Sequence, residues 1–92
     1  MESASPPDAL VTLSQIRHSA IGLLARREHS RKELYLSLRK RFGDHEALPA
    51  VLEQLAQDDL QSDARFAEAF VGYRRRRGQG PVRIAMELRE RG

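Results

Sequence analysis

Sixteen of the 92 residues are Lys or Arg, and they fall in clusters. Four arginines run together, Arg74, Arg75, Arg76 and Arg77, with Arg65 and Arg83 to either side. A second group comprises Arg26, Arg27, Arg31 and Lys32, and a third Arg39, Lys40 and Arg41. A guanidinium is planar, permanently charged and forked, and it matches carboxylate and phosphate. The chemistry these residues offer is therefore recognition of anions rather than bond making. Four adjacent positions span a whole helical turn and cannot serve one face, so some of them point to solvent or to a partner. The plainer reading is a solvated helix end, or cations set against the negative end of a helix dipole, and it suits Arg26 and Arg27 as well as binding does. Two features favour binding: arginine is used almost throughout in place of lysine, and the basic corner occurs twice.

Residues that could make or break bonds are scarce. His18, His29 and His45 have no metal-ligand spacing and read as ordinary surface or boundary histidines. There is no cysteine, so neither a disulfide framework nor a thiolate site is available. The run Gly78-Gln79-Gly80-Pro81 has no strand before it and no Lys-Ser/Thr after it. It reads as a turn rather than a phosphate loop. No spacing suggests a nucleophile paired with a base. The expectation is a protein that is not an enzyme and uses no cofactor. No apolar run approaches a membrane span, and the acidic, proline-containing start lacks the features of a signal peptide, so a cytoplasmic location is expected.

The elements that must position the arginines are helical. Residues 1–12 read as a disordered tail. A first helix is expected from Leu13 or Ser14 to Arg27, with Ile16, Ala20, Leu23 and Leu24 on its core side. Ser30 and Glu33 form an S-x-x-E capping box that opens a second helix. Leu34, Leu38 and Phe42 (or Tyr35 in place of Leu34) give its buried stripe, and Gly43 its stop. A third helix carries Leu48, Val51, Leu52 and Leu55, with Pro49 in its first turn. Leu60 is expected to tuck back as an anchor between units. A fourth helix opens at Ser62 or Asp63, with Phe66, Ala67, Phe70 and Val71 apolar, and runs into the arginines. Gly78 and Gly80 break it, and Pro81 opens a fifth helix carrying Val82, Ile84, Ala85 and Leu88.

The chain repeats itself at an offset of fifty. Ile16, Ala20, Ile21 and Gly22 align with Phe66, Phe70, Val71 and Gly72; Arg26 and Arg27 with Arg76 and Arg77; Leu34, Leu38, Arg39 and Arg41 with Ile84, Leu88, Arg89 and Arg91. A unit of this kind cannot bury its apolar face alone and stacks on its neighbour. The expected fold is all-α: tandem three-helix repeats, the first at 13–60 and the second at 61–92, the second ending after two helices. Charge follows the repeat. Residues 17–41 hold eight basic and two acidic residues, and 65–92 hold eight and three. Between them, 42–64 hold six acidic residues and no Lys or Arg. The natural partner of two basic hairpins is a polyanion or the acidic face of a protein.

Three stretches, LLARREHSRKEL (23–34), SDARFAEAFVGYR (62–74) and RGQGPVRIAMELRERG (77–92), resemble the RecX family of recombination regulators. The resemblance covers about residues 16–92 and implies an array of three-helix repeats. It also implies a role: members bind the RecA recombinase filament in its helical groove and inhibit strand exchange, ATP hydrolysis and coprotease activity. Some bind DNA weakly. No cofactor is implied. Arg65, Phe66, Arg74, Gly80, Pro81, Leu88 and Gly92 match the family's motifs. Of these, Phe66, Gly80, Pro81 and Leu88 are expected to be structural. Arg65 and Arg74 are expected either to touch the partner or to close a salt bridge within the repeat, for example Arg65 with Asp63. Family members usually continue through a sixth helix and a third repeat. The competing reading is a basic helical module that binds nucleic acid without recombinase specificity.

Overall fold

The computed structural model describes residues 12–92, so the expected tail lies outside the described residues except for Thr12. Five helices follow one another, with no strand among the described residues: α1 Leu13–Arg26, α2 Arg31–Phe42, α3 Leu48–Gln57, α4 Asp63–Arg76 and α5 Pro81–Arg91. None is long and apolar enough to cross a membrane.

Local chemistry accounts for most of the boundaries. Thr12 caps α1 through a reciprocal box: its hydroxyl accepts from the Gln15 N–H, and the Gln15 side chain accepts from the Thr12 N–H. Thr12 is thus the start of the first helix rather than the end of a tail. Ser30 and Glu33 form the predicted box at α2, and Gly43 ends that helix at φ +74°, a backbone angle that side chains rarely adopt. Pro49 sits in the first turn of α3, and Pro81 opens α5. At the end of α3 the Leu60 N–H bonds the Leu55 carbonyl and the Asp59 N–H bonds that of Ala56, with Asp59 left-handed at φ +61°. This is the Schellman arrangement, built on aspartate instead of glycine.

The turn corrects one expectation. Leu60 does not anchor the units; it stays 40% exposed. The anchor is its neighbour Gln61, which is buried and donates through Nε2 to the His29 carbonyl at 3.3 Å and to Asp63 Oδ1 at 3.0 Å. His29 is likewise buried rather than a surface histidine, with its Nδ1 3.0 Å from the Arg27 carbonyl.

Both helices of the second unit begin fifty positions after those of the first; α4 reproduces α1 at both ends, and α5 begins as α2 does. Burial follows the same register. Ile16, Ala20, Leu34 and Leu38 are fully buried, and their counterparts Phe66, Phe70 and Ile84 form the second core, with Leu88 at its edge. The first core is larger because α3 adds Leu48, Val51, Leu52 and Leu55. The two cores are separate clusters. On α5, Val82 and Met86 are exposed and Ile84 carries the burial; Val82 and Ala85 are therefore not core positions.

Candidate partner-binding surface

Polar contacts join the two units. The end of α5 meets the start of α2. The Ser30 hydroxyl donates to the Arg91 carbonyl, and Lys32 Nζ donates to the Glu90 carbonyl at 3.0 Å. Gly92 lies so close that a Cβ there would fall 2.9 Å from the Lys32 Cβ. Beside this contact Glu33 accepts from Arg27 at 3.1 Å and from Arg91 at 3.2 Å. Burial alone would raise the Glu33 pKa, but the Arg27 and Arg91 guanidiniums and the Ser30 N–H outweigh it and hold the carboxyl below the usual carboxylate range. Asp63 accepts from the Arg31 N–H at 2.8 Å, in addition to Gln61.

Arg65 belongs to this junction. Its Nε donates to Glu28 at 3.0 Å, and one terminal nitrogen pairs with Asp59 at 2.9 Å. These are its partners, and not Asp63 as the sequence suggested. Hydrogen bonds to Glu28 and Asp59 hold its pKa above the ordinary arginine value. Arg74 is also engaged: it pairs with Glu87 at 3.1 Å and lies over the Phe70 ring at 4.8 Å, where a cation meets the negative face of an aromatic. Arg91 approaches the same ring at 5.7 Å.

The remaining cations divide clearly. Arg31 pairs with Glu53, Arg39 with Asp44 and Arg83 with Glu87. Arg77 donates to the Tyr73 hydroxyl at 2.8 Å and covers its ring, so this tyrosine is half-exposed but already capped. Arg26, Lys40, Arg41, Arg75, Arg76 and Arg89 are exposed and make no ion pair among the described residues. They fall in two groups, one at the ends of α1 and α2 and the other at the end of α4 and on α5. The sequence missed Glu28 as a partner of Arg65 and Glu33 as the partner of Arg91 because they lie 37 and 58 positions away, beyond any helical spacing. Among the described residues no group of three or more His, Asp or Glu could hold a metal ion.

The family description "RecX, second three-helix domain" matches residues 62–92, the span of α4 and α5. A protein named Regulatory protein RecX from Halorhodospira halophila is 54% identical over 77 residues, covering 84% of this chain and 48% of the relative. The protein of that name from Pseudomonas fluorescens is 48% identical over 83 residues, covering 90% and 54%. That from Pseudomonas savastanoi pv. phaseolicola is 48% identical over 86 residues, covering 94% and 56%. The chain is similar to RecX proteins across both units. It spans about half the length of the RecX relatives it matches, and the identity extends from α4 and α5 back through the first unit. No solved structure matches the chain.

Proposed function

We propose that this chain is a regulator without enzymatic activity that binds the RecA recombinase filament in the cytoplasm and lowers its strand exchange, ATP hydrolysis and coprotease activity. Similarity over most of the chain to relatives named regulatory proteins carries the reading. The architecture suits it. Stacked helical units form an elongated body measuring 60 × 22 × 18 Å, and eight cations are left without ion pairs among the described residues. Such a body can lie along a groove and touch more than one subunit, obstructing the path of a second DNA strand or fixing the subunits against each other.

The test is ATP hydrolysis by a RecA recombinase on single-stranded DNA, with this chain titrated in at fixed moderate salt. Inhibition at ratios below one chain per recombinase, with the DNA still held, supports the proposal. Absence of inhibition by a chain that circular dichroism shows to be folded overturns it. Equal binding to free recombinase and to filament would also count against it. The exposed arginines at the end of α4 favour a second outcome, in which the chain binds naked DNA with affinity that falls steeply with salt. Binding of that kind without inhibition would identify a nucleic-acid-binding module.

A further inference from the structure

The fifty-residue repeat allows one part of the molecule to explain another. In the second unit a groove runs between α4 and the end of α5, and the corner that joins α1 to α2 forms one of its walls. Arg27 and Glu28 of that corner line it together with Ala69, Tyr73 and Arg91. Glu28 takes the Arg65 guanidinium, Glu33 takes that of Arg91, and Ser30 and Lys32 donate to the last carbonyls of α5. The groove receives a helix start that carries two carboxylates.

The first unit has the equivalent groove, and among the described residues only α1 and the end of α2 line it. Its volume is 790 Å³, and Gln15, Ser19, Leu23, Arg41 and Phe42 line it at positions fifty before Arg65, Ala69, Tyr73, Arg91 and Gly92. Arg41 is the counterpart of the arginine that holds Glu33, and it makes no ion pair among the described residues. Arg26 joins it in the lining, and among the described residues no carboxylate does.

We infer that this groove is a docking surface for an acidic helix start of a partner protein, held as the second unit holds the α1–α2 corner. Charge selects this occupant over a second copy. The corner a second copy would offer, between α4 and α5, has Gly78 where Glu28 stands and Arg83 where Glu33 stands, so Arg83 would meet Arg41. Protein is favoured over nucleic acid because the floor includes the apolar Leu23 and Phe42 and only two arginines converge there, whereas a bound strand needs a track of cations. The inference does not depend on the recombinase assignment.

The probe is a neutral alanine-rich helical peptide with a serine N-cap, one glutamate two residues before the cap and another three after it. The control carries glutamine at both places. With the full chain labelled for NMR, the glutamate peptide should shift Gln15, Ser19, Gly22 and Arg41. Arg41→Glu should weaken binding at least tenfold and Arg26→Glu severalfold, while Arg75→Glu stays within twofold. Should Arg41→Glu lose its helical spectrum, Arg41→Gln takes its place, with at least a threefold loss expected. The inference is overturned if the glutamine peptide binds within twofold of the glutamate peptide, or if the shifts gather on α4 and α5. It is equally overturned if a single-stranded oligonucleotide shifts the same residues at lower concentration, or if the chain self-associates through Arg41 in sedimentation.

Discussion

Glu33 accepts from Arg27, Arg91 and the Ser30 N–H. Its carboxylate is therefore at once a helix cap and a tie between the units. Because its folded pKa is lowered, the stability it confers is fully present above the ordinary glutamate range, near pH 4.3, and is lost as pH falls through the lowered value. Glu33→Gln should cost about 1.5–3 kcal/mol near neutrality, a typical figure for hydrogen bonds to a charged group. It should also flatten the acid limb of stability against pH, as urea titrations at pH 7, 5 and 3 would show. Ser30→Ala removes an N-cap and the hydroxyl that holds the Arg91 carbonyl, and should lower stability by about 1–2 kcal/mol. The capping box was legible because its two residues sit three apart. Their attachment to Arg91 was not legible, since nothing in the spacing links position 30 or 33 to position 91.

At the level of helices, the two units differ in how much they bury. α3 seals the first core, whereas the second rests on Phe66, Phe70 and Ile84. Phe70→Ala should cost about 3–4 kcal/mol and Leu38→Ala about 3 kcal/mol, typical for large-to-small changes in a core. Their reach should differ. In amide hydrogen exchange, Phe70→Ala should strip protection from α4 and α5 and leave α1 to α3 protected, because the clusters do not merge. All five helices, and the positions carrying both cores, could be read from apolar spacing and caps. Leu60 and Gln61 could not. An apolar residue beside polar neighbours looks like the anchor until Asp59 is known to turn left-handed, and aspartate advertises such a turn far less than glycine does. The basic helix ends were equally legible as composition. Which arginines remain available depended on carboxylates distant in sequence, which is why Arg65 and Arg74 were found engaged within the chain while Arg26 and Arg41 were not.

Across the whole molecule, the units are joined by ion pairs and carbonyl contacts instead of a shared core. Contacts between partly exposed charges are screened once the Debye length falls to about 3 Å near 1 M salt. Residual dipolar couplings should fit one alignment tensor for both units at about 0.05 M salt and two distinct tensors near 1 M, with the helices intact in each. A single tensor at both salts would show that geometry, rather than charge, fixes the angle between units. The repeat itself was plain in the sequence, as was the alternation of basic and acidic stretches.

The contact between the last turn of α5 and the serine that opens α2 has one more consequence. A helix advances about 100° per residue, so adding or removing one residue within α5 would swing its final carbonyls away from Ser30 and Lys32. The distance from one unit to the next is thus metered in whole turns. An insertion in the loop between α2 and α3 would be absorbed locally, but a single residue inserted into α5 would break the step between units. Lengths within the helices should therefore vary little among chains that share this stacking, however far their side chains diverge.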